Sequence, residues 1–161
     1  MIMSIYISEI LLGLFVINLA MAFGAGIYEY RIVMPMWFGV SRIDRASIVK
    51  TDVGRRFWGV VTTIPLTLLT FANLYLSFRS KSGLHTWWTS ACIIILAERM
   101  ATFGYFIPTI IKLANPEKLT DHQALAKASQ WKQLNMVRIL LNLAGLIAAA
   151  MAYTFLARSM E

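Results

Sequence analysis

Apart from Glu9 near the start of the first run, four ionisable side chains stand in or at the edge of long apolar stretches of this 161-residue chain: Glu29, Glu98, Arg99 and Arg138. A charge in hydrocarbon is costly, so each must face a partner or a cavity, and such groups mark binding, proton-transfer or transport sites. Their spacing sorts them. Trp131, Asn135, Arg138, Asn142 and Gly145 recur at intervals of four, three, four and three, which places them on one stripe of a helix. Glu98, Thr102, Tyr105 and Thr109 repeat the rhythm, as do Asn18, Ala22, Ala25 and Glu29, while Thr63, Thr67, Thr70, Asn73 and Ser77 fall near one face. Four polar or small stripes imply a shared polar interior. With a rise of about 1.5 Å per residue, Glu29, Asn135, Arg138 and Tyr105 lie near one end of their helices. Asn18, Asn142, Glu98 and Arg99 lie deeper, roughly 12 to 20 Å in. Glu29 with Arg138 is the first expected pair. Arg99 sits about 100° around the helix from Glu98, so those two are expected to point apart and each arginine to have a carboxylate partner.

The elements that must carry these stripes follow from composition. The chain is 58% hydrophobic and 14% charged, with a net charge of +7; soluble domains carry about 25% charged residues. Its mean hydropathy is +0.64. A spanning helix needs roughly 20 mostly apolar residues, and four such runs occupy about 5–28, 57–78, 86–111 and 134–157. No basic stretch precedes Ile10, and Glu9 is acidic, so the first run is expected to stay in the mature protein rather than act as a secretion signal. The tails and the turn between the second and third runs carry three Lys or Arg (Arg79, Lys81 and Arg158), against ten in the first and third loops. By the positive-inside rule both termini are expected outside the cytoplasm.

In the first loop Ile43, Ala46, Val49 and Val53 recur at helical spacing among charges, which predicts a short helix lying on the inner surface. In the third, Asn115-Pro116 is a breaker, followed by Glu117 to Lys132, which reads as a separate helix with Leu119, Leu125 and Ala128 on its apolar side. Trp37, Phe38, Trp87, Trp88 and Trp131 fall where interfacial aromatic belts are expected. With no repeat and no second domain evident, the expectation is all-α: one integral membrane, multi-pass domain over residues 1–161, an up-down four-helix bundle in a lipid bilayer, in the inner membrane if the source is bacterial.

Several chemistries are excluded or demoted. The single cysteine, Cys92, forms no intramolecular disulfide, and with two histidines it falls short of a zinc site, so no metal is expected. Basic residues confined to short loops fit membrane topology and not nucleic-acid binding. Haem would need His85 or His122 in the membrane core, and both fall in predicted loops. No cofactor is expected, haem and a bound quinone being the exceptions the composition leaves open. Ser, Thr and Asn in membrane helices commonly serve as interhelical glue, which is the plain reading of the second stripe. For Glu98, Arg99 and Arg138 the plain reading is an ion-pair network that fixes helix register.

The pattern W-x3-N-x2-R at Trp131, Asn135 and Arg138, with Tyr105-Phe106-Ile107-Pro108, the Gly24 to Glu29 segment and Pro35, resembles the anthrone oxygenase-like family of four-helix membrane proteins. Some fungal members of that family oxidise an anthrone to an anthraquinone with molecular oxygen. The resemblance implies a membrane-embedded, cofactor-independent oxidoreductase acting on an aromatic or quinone-like hydrophobic small molecule. An anthrone has an acidic CH2 beside an aromatic ketone, and its anion reduces oxygen without a metal. The pocket must then supply a general base, a group that holds the oxyanion, and apolar aromatic walls. Glu29 or Glu98 is the expected base. Arg138 and Asn135 are expected to hold the oxyanion, Tyr105 to donate a proton, and Trp131 with Phe106 to form a wall. Asn18, Glu98, Arg99 and Asn142 complete the expected binding set.

Two other classes compete. A noncatalytic accessory subunit or small-molecule binder would use the polar stripes for packing, as a homo-oligomer or against a membrane partner protein. A transporter would use Glu98 and Arg99 as midplane charges, although broken helices and repeated halves, which many transporters share, are not evident.

Overall fold

A computed structural model describes residues 2–39, 42–52, 54–80, 82–115, 117 and 119–158. The described residues are all-helical. The first long helix is α1 (Ile2–Tyr28), which widens into a π-helical segment, Glu29–Val33, and ends as α2 (Met34–Trp37). A short α3 (Arg45–Thr51) lies in the first loop. The second long helix begins as a π-helical segment, Gly54–Thr63, and continues as α4 (Ile64–Ser77). The third is α5 (Ser82–Ala101), a π-helical segment Thr102–Phe106, and α6 (Ile107–Ala114). The fourth is the unbroken α7 (Asp121–Arg158).

Among the described residues, four helices are long and apolar enough to cross a membrane: Tyr6–Trp37, Arg56–Ser77, Leu84–Ala114 and Asp121–Arg158. The first and third run past the ends expected at 28 and 111. The separate helix expected over Glu117 to Lys132 is, from Asp121 onward, the opening of α7 itself. That helix has 38 residues, about 57 Å at 1.5 Å each, against about 30 Å of hydrocarbon. Propensity explains the join, since Asp121 to Lys132 contains no Gly or Pro to stop a helix. Pro116, Val53, Lys81 and Lys118, which entered the loop expectations, lie outside the described residues.

Each π-helical segment runs directly into an α-helical segment whose second residue is proline: Pro35, Pro65 and Pro108. Proline lacks an amide hydrogen, and its ring presses on the carbonyl four residues back, so the preceding turn must adjust. Here it widens to i→i+5 bonding, an arrangement that often accompanies functional sites. All three widened turns lie toward the end of the spans that carries the first and third loops.

The other half is regular. Around the ring of contacts, α1 packs on α4 and α7, and α5 packs on α4 and α7. Leu12, Phe15 and Leu19 meet Leu66, Trp88, Ile95 and Ala149 in one buried cluster. At Gly145 a side chain would overlap Ile95, so the Ile95 side chain of α5 packs directly on the α7 backbone there, as small residues allow in membrane helix packing. Asn73 ties three helices together: its Nδ2 donates to the Leu11 and Leu69 carbonyls, and its Oδ1 accepts from Trp88 Nε1 at 3.0 Å. Thr67 and Thr70 donate to carbonyls four residues back in their own helix, whereas Asn73 and Ser77 of the same stripe bond to neighbouring helices. His85 lies within α5, correcting the loop placement, and its Nδ1 is 2.8 Å from the Ser77 carbonyl. His122 likewise lies in the first turn of α7.

Trp37, Trp88 and Trp131 are buried, and of the four belt tryptophans only Trp87 is exposed. Their indole N–H groups explain part of this burial, since Trp88 and Trp131 each satisfy it against a neighbouring helix. The helix α3 buries Ile48 and packs on α2 and α6. Asp44 caps it, accepting from the Ser47 amide at 3.0 Å and the Ser47 hydroxyl at 2.8 Å. Those bonds hold the Asp44 carboxyl below the usual aspartate range. Arg45 ties the first loop to the third, donating to the Leu119 carbonyl and to Asp121.

Candidate functional site

The widened turns bring Glu29, Trp58 and Phe106 around Arg138. Glu29 Oε2 accepts from Arg138 at 3.0 Å, and Glu29 Oε1 accepts from Trp58 Nε1 at 2.8 Å. The guanidinium carbon of Arg138 lies 5.1 Å from the centre of the Trp58 ring and 4.9 Å from that of Phe106. Two aromatic rings and a carboxylate thus hold one cation, a combination in which cation–π attraction adds to the ion pair where water is scarce. Trp131 Nε1 donates to the Phe106 carbonyl, and the two rings meet edge to face at 5.8 Å.

Beside this cluster lies a cleft of about 650 Å³, within the roughly 300–1,000 Å³ typical of small-molecule sites. Glu29, Arg138, Arg99, Thr102, Phe106 and Trp131 contribute to its lining, as do Trp58 and Thr63. Ile48, Val49 and Asp52 reach it from α3 and the turn after it. A second groove of about 450 Å³ has Gly24, Ala25 and Phe57 in its wall. Glu29 and Trp58 line both clefts.

Glu98 and Arg99 pair with each other, correcting the expectation that they point apart: Arg99 Nε donates to Glu98 Oε2, and Thr102 donates to Glu98 Oε1 at 2.9 Å. Backbone directions 100° apart are bridged because both side chains are long enough to curl toward one another. Arg99 faces the cleft and Glu98, fully buried, backs it.

Of the ten residues singled out from the sequence, Glu29, Arg138, Arg99, Phe106 and Trp131 line the cleft, and Glu98 joins it through Arg99. Tyr105, Asn135, Asn18 and Asn142 are not among its lining residues. For Tyr105 the cause is local. A π turn returns to the same face after four residues or more, so Phe106, not Tyr105, continues the Thr102 face. The Tyr105 hydroxyl is buried without a hydrogen-bond partner. Asn135 lies fully buried between Trp131 and Arg138 on the α7 stripe, and neither polar atom of its side chain has a partner. Asn142 Nδ2 donates to the Arg138 carbonyl, and Asn18 Nδ2 donates to the Val61 carbonyl at 3.0 Å. Pro65 removes the amide that an α-helix would offer Val61, so Asn18 serves a carbonyl that proline displaced.

Trp58 is the residue that sequence reasoning missed. A signal existed, because an indole N–H inside an apolar span must find an acceptor and Glu29 stands at the same level. Chemically the cluster offers a carboxylate with both oxygens oriented, two guanidinium groups at one cleft, and aromatic walls. No protein-family model, curated protein or solved structure matches the chain.

Proposed function

We propose that this protein is a membrane-embedded oxidoreductase of the anthrone oxygenase-like kind, cofactor-independent, acting on an aromatic or quinone-like hydrophobic small molecule in the cleft beside Glu29 and Arg138. One observation carries the reading: a buried Glu29–Arg138 pair, held by Trp58 and Phe106, forms the wall of a cleft large enough for a polycyclic ring. In this reading the protein is an up-down four-helix bundle, with both termini outside the cytoplasm, α3 lying at the inner membrane surface and the cleft toward the cytoplasmic side.

The chemistry needs little beyond what these side chains supply. Glu29 takes a proton from the acidic ring CH2, leaving a carbanion whose charge spreads onto the ring oxygen. Arg138 and Arg99 stabilise that oxyanion by charge and hydrogen bonding. The anion gives its electrons to molecular oxygen. Over the whole reaction the CH2 carbon loses two hydrogens and gains one oxygen atom, and the other oxygen atom leaves as water. Trp58, Phe106 and Trp131 hold the ring plane and exclude water, which strengthens each electrostatic contact. Trp58 also fixes the carboxylate that Arg138 would otherwise pull toward itself.

The test is oxygen uptake by the detergent-purified chain supplied with anthrone, followed together with the absorbance of the anthraquinone formed. Uptake that is stoichiometric with product and disappears in Glu29→Gln supports the reading. No uptake above the spontaneous rate, or unchanged turnover in Glu29→Gln, overturns it. A colourless, empty chain that always accompanies one other membrane protein would point instead to an accessory subunit.

A further inference from the structure

The cleft is graded from one end to the other. Its inner end is polar and closed: Glu29 is 4% exposed and Arg99 5%, with Thr102, Phe106 and Trp131 equally buried. Its outer end is apolar and open. Val60 and Ile64 on the second span and Ile107 and Ile111 on the third all line it, and Val60 and Ile111 are 66% and 57% exposed. Each pair is four residues apart, so each forms a rail along one helix edge. All four residues lie within helices long and apolar enough to cross a membrane, Arg56–Ser77 and Leu84–Ala114. The opening between the rails is thus on the side of two candidate spans, and in hydrocarbon an apolar chain rests there at no hydrophobic cost while a bare polar ligand gains nothing.

We propose that the cleft takes its ligand sideways from the bilayer, and that the ligand is an amphiphile: an oxygen-bearing aromatic head with one long hydrocarbon chain. The head lies against Arg138 and Arg99, and the chain leaves between the Val60–Ile64 and Ile107–Ile111 rails into lipid. The identity of the head rests on the function proposed above; the chain and its path rest on the graded lining alone. Two arginines at the inner end favour a head with ketone or phenolate oxygens, since both donate hydrogen bonds and neither accepts. The groove that shares Trp58 is a poorer candidate for this ligand, because among the described residues Glu29 is its only charged lining residue and no arginine lines it.

The experiment compares two probes on the purified chain in lipid nanodiscs: 1,4-naphthoquinone, and the same ring carrying a dodecyl chain. Binding is read by quenching of tryptophan fluorescence, with concentrations counted in the lipid phase so that partitioning alone gives no difference. The dodecyl probe should bind at least about tenfold more tightly, and Val60→Trp or Ile111→Trp, which plug the mouth, should remove that advantage by weakening the dodecyl probe at least about tenfold more than the bare ring. Equal affinities, or a dodecyl advantage that survives both plugs, overturn the proposal.

Should the plugged variants fail to fold, a dodecyl probe with a terminal diazirine answers the same question on the unaltered protein. Photolabelling of 54–64 and 107–114 supports the path, and labelling confined to other segments overturns it. The two readings fail separately. A chain-dependent, plug-sensitive ligand that is never oxidised would overturn the reaction and keep the path, whereas oxidation of anthrone with no chain preference would do the reverse.

Discussion

The two ends of the four-helix assembly solve the same problem in opposite ways. Toward the turn between the second and third spans, the helices are regular, the Ile95 side chain packs directly on Gly145, and Asn73 has its side-chain oxygen and nitrogen both engaged. Toward the first and third loops, three prolines widen three turns, a cleft opens, and Asn135 sits buried with no partner for either polar atom. Buried polar groups are nearly always satisfied where structure alone is being served. The contrast separates a regular half from an irregular one: local rules hold in the first and are broken together in the second, the pattern that the proposed site calls for.

Breaking the ion pair should produce the largest effect. Arg138→Met leaves the Glu29 carboxylate buried with only Trp58 as donor, which is expected to cost about 3–5 kcal/mol of stability and to cut anthrone turnover by at least about a hundredfold. Thermal unfolding in detergent, with turnover measured per folded molecule, checks both. The double variant Glu29→Gln with Arg138→Met should be more stable than Arg138→Met alone, since no unpaired charge remains; a double variant no better than the single would show that the pair does not carry the cost.

Asn73→Leu probes the opposite half. It leaves the Trp88 N–H without its acceptor and should destabilise by about 1–3 kcal/mol, with turnover per folded molecule unchanged. A loss of turnover beyond the folded fraction would erase the division between the halves. Gly145→Ala should cost about 1–3 kcal/mol by overpacking against Ile95, and trimming Ile95 to Val should recover part of it. Gly24→Ala, whose added carbon meets nothing within 4 Å, should leave the melting temperature unchanged.

The smallest effect concerns α3. Because the folded Asp44 carboxyl is held below its unfolded value by Ser47, the cap's contribution is fully present above the ordinary aspartate range. It is lost as pH falls through the lower, folded value. Hydrogen exchange at 45–51 should quicken there while 64–77 stays protected, and Asp44→Ala should show the quickened rate at neutral pH already.

Much of this was legible in the sequence because hydrocarbon is an unforgiving solvent. Runs of apolar residues long enough to span mark the helices, and a lone charge in such a run demands a partner. Glu29 and Arg138 were matched on that ground alone, by depth and stripe. What failed was the assumption of uniform helical phase. Prolines at 35, 65 and 108 were visible, yet the widened turns before them moved Phe106 into the place that a 3.6-residue period gave to Tyr105.

By itself the sequence determined which stretches are helical and apolar enough to cross a membrane, and which polar residues share a stripe, because both follow from local composition and a fixed rise per residue. Only the tertiary structure decided that Trp58 completes the Glu29–Arg138 cluster, that Glu98 turns to Arg99, and that Trp37, Trp88 and Trp131 lie inside. Those outcomes depend on which helix stands opposite and on how long side chains bend to reach it. Neither is written in the order of residues along one helix.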